Sequence, residues 1–110
     1  MADVRKIKNV EEFLEFTGNS SFLNVLKLGS DWCGPCKVLE GILQGLTTEE
    51  TDGVLIAEVD VDDEWFEEEV EKLHIRGIPV VIAYKNGEEV ERLVGLTTKD
   101  KLLEFFERNR

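Results

Sequence analysis

The sequence predicts an α/β domain with a central mixed, mainly parallel β-sheet, a closing antiparallel hairpin and helices on both faces. Three observations carry this reading. Apolar runs of strand length alternate with runs of helical spacing, in the order β-α-β-α-β-α-β-β-α. Alternation of this kind implies crossovers and a parallel centre. Near the end, Asn86-Gly87 separates two strand-like runs, the mark of a tight hairpin.

The elements follow in order. Arg5 to Lys8 reads as a short strand. Asn9 is placed to cap a helix over Val10 to Phe16, which Gly18 closes. Phe22 to Leu28 is apolar enough for a buried strand. Val38, Leu39, Ile42, Leu43 and Leu46 recur at helical spacing, so a helix runs to about Leu46. Val54 to Val61 is a third strand. Asp63 to Leu73 reads as one helix, with Trp65, Phe66, Val70 and Leu73 on its inner side and core packing as the role of Trp65. Val80–Lys85 and Glu88–Val94 form the hairpin, and Gly95 ends it. Thr97 with Asp100 resembles a capping box for a last helix carrying Leu102, Leu103, Phe105 and Phe106.

A chain of 110 residues with 42% hydrophobic content fits one domain over 1–110 with a real core. No apolar run approaches the ~20 residues that span a bilayer, and the first residues lack a signal-like apolar segment. A soluble cytoplasmic protein that avoids membranes is expected. The net charge of −11 would repel nucleic-acid phosphates, so none is expected as a partner. Much of that charge lies between Asp60 and Glu71 and reads as a solvated helix face.

The chain's two cysteines both stand in Trp32-Cys33-Gly34-Pro35-Cys36, between a strand and a helix. Thiols at this spacing can close a small reversible disulfide, and outside a secretory context the pattern reads as a redox dithiol. Cys33 falls at a helix N-terminus, where free N–H groups and the helix dipole favour the attacking thiolate. Pro35 fits the first turn, where its missing N–H costs little, and Gly34 allows a substrate backbone to approach. A zinc site wants about four ligands, and two Cys with the single His74 fall short of it. His74, ending the acidic helix, is expected at the surface.

With Trp32-Cys33-Gly34-Pro35-Cys36, Ile75-Arg76-Gly77-Ile78-Pro79, Lys85-Asn86-Gly87 and Val94-Gly95 in this order, the chain resembles the thioredoxin family over nearly its whole length. The resemblance implies the thioredoxin fold and a protein disulfide reductase working by thiol–disulfide exchange. Cys33 would be the exposed nucleophile and Cys36 the buried resolving thiol. The Ile78–Pro79 peptide would be cis and would face the dithiol. Trp32, Ile78, Pro79 and Gly95 would line the groove that receives an extended substrate segment. Disulfide-containing proteins would be its substrates, and an external thioredoxin reductase would supply electrons to a monomer needing no bound organic cofactor or metal. Two alternatives are a more oxidising, glutaredoxin- or isomerase-like exchanger, and a binding subunit whose dithiol is incidental.

Four positions depart from the family pattern. Lys27 stands where an aspartate is usual, and Glu58 stands near where its lysine partner is usual. A buried ion needs a partner, so a charge-swapped Lys27–Glu58 pair is expected. A protonated Lys27 would stabilise a Cys36 thiolate and make the couple more oxidising, and Lys27→Asp would make it more reducing. Gly41 replaces a helix-kinking proline and is itself a weak helix former. Gly29 replaces an aromatic residue, which leaves the pocket wall more open.

Overall fold

Every residue of the strand Leu23–Gly29 is buried, because it lies between two other strands and under helices on both sides. In the computed structural model, which describes residues 2–19 and 21–110, this strand is β2 of a five-stranded sheet. The others are β1 (Val4–Lys6), β3 (Val54–Asp60), β4 (Val80–Lys85) and β5 (Glu88–Val94), in the order β1-β3-β2-β4-β5. β1 and β2 run parallel to β3; β4 runs antiparallel to both β2 and β5. The predicted mixed sheet is therefore present.

Alternate residues of each strand serve the two faces. On one face, Leu23, Val25, Ile56 and Val81 pack with Leu39 and Leu43 of α2 (Gly34–Gln44) and with Leu102, Phe105 and Phe106 of α4 (Lys99–Asn109). On the other, Leu26, Leu28, Val59 and Ile82 pack with Phe13 and Phe16 of α1 (Val10–Gly18) and with Phe66. Asn9 caps α1 by accepting the Glu12 N–H at 2.9 Å.

Several boundaries differ from the sequence reading. β1 begins at Val4 and ends at Lys6, because Ile7 dips into the core while its N–H still donates to the Glu58 carbonyl at 3.0 Å. α2 stops at Gln44: the Leu46 N–H turns to the Leu43 carbonyl at 3.3 Å, tightening the last turn. The helix expected over Asp63–Leu73 is a 3₁₀ turn, Glu64–Phe66, followed by α3 (Glu67–Lys72). The Phe66 N–H closes onto the Asp63 carbonyl three residues back, at 2.9 Å. Thr98, not Thr97, caps α4, its Oγ1 accepting the Lys101 N–H at 3.2 Å. α2 continues as α-helix through Gly41, where a Cβ would meet nothing.

The hairpin has the predicted limits, and Asn86 and Gly87 carry the positive φ values (54° and 82°) that its turn demands. Ala83 pairs with Glu91 and Tyr84 with Glu89, so Val90 is the extra residue of a bulge. His74, exposed as expected, follows α3 with φ of 57°, the left-handed conformation that often ends a helix.

A charged clamp ties β5 to α4. Arg108 donates to both Glu91 carboxylate oxygens at 2.8 and 2.7 Å, and Asn109 adds a third bond at 2.8 Å. These bonds, Arg108 first, hold the Glu91 pKa down to about 2 from an ordinary 4.5. A depressed carboxylate stabilises the fold above its unfolded value and ceases to as pH falls through the folded one. Wild type should therefore exceed Glu91→Gln in urea midpoint at pH 7. That gap should close as pH falls from about 4.5 toward about 2. A gap unchanged at pH ~2.5 would show that the ion pair is not its source.

Candidate functional site

The site gathers at one end of the sheet. β2 and β3 deliver their C-terminal ends there, and β4 begins there, since Val80 pairs with Leu28. Ligand chemistry in open α/β sheets concentrates at such carboxyl ends. Cys33 is the N-cap residue of α2, and its Sγ accepts the Cys36 N–H at 3.2 Å. Gly34 and Pro35 form the first turn, both exposed. Cys33 and Cys36 are joined in a disulfide, with Cα atoms 5.2 Å apart. Cys36 is fully buried, whereas Cys33 retains 6% exposure. The expected exposed nucleophile is thus nearly covered in the oxidised state, its sulfur engaged with Cys36.

Trp32 is 73% exposed, yet its indole is fixed, Nε1 donating to Asp62 Oδ2 at 2.7 Å. Sequence reasoning misses Asp62. Its only signal is membership of an acidic run, and its partner stands 30 residues away. The Ile78–Pro79 peptide is cis. Pro79 is buried, Ile78 half-buried, and the Pro79 carbonyl accepts the Gly95 N–H at 2.8 Å. Gly95 adopts φ of 89°, which favours glycine. Val94 and Leu96 on either side of it are exposed, leaving apolar surface at this rim.

Beneath the dithiol lies the charge-swapped pair. Lys27 and Glu58 are register partners on β2 and β3, with ammonium and carboxylate 3.5 Å apart and side chains 7% and 13% exposed. Lys27 does not reach out to solvent. Gly29, also buried, sits against both neighbours: a Cβ there would stand 3.0 Å from Cys36 Sγ and 3.3 Å from Lys27 Cε. A cleft of about 280 Å³ opens beside them, lined by Lys27, Gly29, Ser30, Lys37, Glu58 and Asp60. Among the described residues, no group of three or more His, Cys, Asp and Glu side chains stands close enough to hold a metal ion.

The thioredoxin family model matches residues 4–108. This chain belongs to the thioredoxin family. It is 37% identical over 98 residues to the thioredoxin of Chlamydia caviae, covering 89% of this chain and 91% of that one. The thioredoxin of Malassezia sympodialis superposes with a TM-score of 0.84 at 27% identity, over 98% of this chain and 91% of that one. Thioredoxin O1 of Arabidopsis thaliana in the oxidized state superposes with a TM-score of 0.81 at 26% identity, over 96% of each chain. The fold is the thioredoxin fold, and family membership with the closed Cys33–Cys36 disulfide makes the protein a thiol–disulfide oxidoreductase. A binding subunit with an incidental dithiol is not favoured. Among the described residues, no helix is long and apolar enough to cross a membrane.

Proposed function

We propose that this thioredoxin-family chain is a cytoplasmic, monomeric protein disulfide reductase that carries two electrons in the Cys33–Cys36 couple. The observation that supports this most is the disulfide closed across the N-terminal turn of α2. In the reduced protein the Cys33 thiolate attacks a substrate disulfide, forming a mixed disulfide and expelling one substrate thiolate. Cys36, as thiolate, then attacks Cys33 Sγ, closing the internal disulfide and expelling the second. The substrate gains two electrons and two protons, and an external thioredoxin reductase restores the dithiol. No metal or organic cofactor enters these steps.

The helix N-terminus favours the Cys33 thiolate, with Pro35 and Gly34 shaping its first turn. Trp32, Ile78, Pro79 and Gly95 receive an extended substrate segment, supported by the apolar rim and by the fixed indole. Lys27 and Glu58 tune the couple from below.

The test is reduction of a disulfide-bonded protein such as insulin, with NADPH and thioredoxin reductase as electron source. Wild type should turn over catalytically, and Cys33→Ser/Cys36→Ser should lose all turnover. A reduced wild-type protein that exchanges with no protein disulfide would overturn the reading.

A further inference from the structure

Ser30 stands where β2 gives way to the turn that carries the dithiol, and the exchange steps leave its hydroxyl unused. The residue is only 8% exposed. Its Oγ is sealed from solvent and, among the described residues, has no hydrogen-bond partner. A buried hydroxyl in this state is costly, and native proteins keep few of them. Its place in the chain is specific. The Ser30 carbonyl accepts the Cys33 N–H at 3.4 Å, closing a turn over Asp31 and Trp32. The hydroxyl therefore belongs to the turn that holds Cys33, itself only 6% exposed. In the closed disulfide the Cys33 sulfur is neutral and bonded to Cys36, a weak acceptor, and the hydroxyl makes no bond to it.

Reduction changes that acceptor. Two electrons break the Sγ–Sγ bond, one proton goes to Cys36, and Cys33 keeps its charge as the attacking thiolate. An ionised acceptor makes a shorter and stronger hydrogen bond than a neutral one. We infer that Ser30 is a redox-linked positioning residue: its hydroxyl, unpaired while the disulfide is closed, donates to the Cys33 thiolate once the disulfide opens. This rests on the role proposed above for Cys33. The oxidised form carries an unmet hydroxyl and the reduced form does not, so Ser30 favours the dithiol and makes the couple more oxidising. Bonding to the charged form of Cys33 also lowers the pH at which the nucleophile ionises.

Ser30→Ala deletes the hydroxyl and fits wherever serine does. Equilibrated with glutathione buffers at pH 8, the variant should lie about tenfold further toward the disulfide, which is about 30 mV more reducing for a two-electron couple. Alkylation of reduced protein by iodoacetamide, followed against pH with peptide mass mapping, should show the Cys33 midpoint raised by about one pH unit. In urea, oxidised Ser30→Ala should unfold at the wild-type midpoint or above it, and reduced Ser30→Ala below it. A merely structural hydroxyl would move both redox forms the same way and leave the alkylation profile in place.

An unchanged potential with an unchanged alkylation profile would overturn the inference. So would a stability loss of equal size in both redox states, or a couple that the substitution makes more oxidising. If peptide mapping of the wild type finds the early alkylation on Cys36 rather than Cys33, the assignment of the nucleophile fails instead, and the inference falls with it.

Discussion

Cys36→Ser is expected to hold its substrate covalently. With the resolving thiol gone, the mixed disulfide on Cys33 has no internal attacker and must wait for an external thiol. An intramolecular attack then becomes bimolecular, and turnover should fall roughly 10³-fold or more. Intact-mass spectrometry after exposure to a protein disulfide should show one adduct per chain, released by dithiothreitol. Cys33→Ser should form no such adduct, because Cys36 is fully buried and a folded substrate cannot reach it. Adducts on Cys33→Ser rather than on Cys36→Ser would reverse the two roles.

The second large effect concerns stability. The segment Asp60–Glu71 bears eight carboxylates and would be soluble anywhere. What holds it down is Phe66, fully buried, whose ring packs edge-on against Phe13 at 5.5 Å and Trp65 at 5.2 Å. Phe66→Ala should cost about 3–5 kcal/mol, the usual loss for a core aromatic. That is a large share of the ~5–15 kcal/mol by which such domains are stable. Phe66→Leu, which keeps most of the volume, should cost less than half as much. Urea unfolding at pH 7 gives both values, and a Phe66→Ala loss below ~1 kcal/mol would show that the segment is held by something else. Asp62 lies one turn upstream, so the indole of Trp32 should also lose restraint, visible as a fall in its fluorescence anisotropy.

Much of this arrangement is readable in the chain, for reasons that differ by element. Asn86-Gly87 marks the hairpin because only residues tolerating positive φ suit that turn. The largely apolar run at Phe22–Leu28 marks the central strand because parallel strands are covered on both faces, although the strand itself runs from Leu23 to Gly29 and leaves Phe22 exposed. The segment after Asp63 departs from its reading because periodicity reports which side is apolar, not whether hydrogen bonds close over three residues or four. Thr97 and Thr98 are chemically alike, so only geometry chooses the cap. The cysteines stand out by their spacing, and Lys27 and Glu58 by their departure from the pattern of the family the chain resembles; that they pair follows because buried charges need partners. The Trp32–Asp62 bond stays hidden because no local pattern encodes a contact between two surface residues on separate loops.

The two margins of the sheet bear on how the protein behaves when crowded. β1 is three residues long and presents Arg5 and Lys6, both exposed. β5 carries Glu88, Glu89 and Glu91 and is interrupted by the bulge at Val90. A neighbouring molecule seeking to add a strand meets, on one side, an edge too short to template it. On the other it meets carboxylates and a break in the ladder. Growth of the sheet from molecule to molecule is blocked at both ends, so concentrated solutions should resist fibril formation even though the edges are open to water.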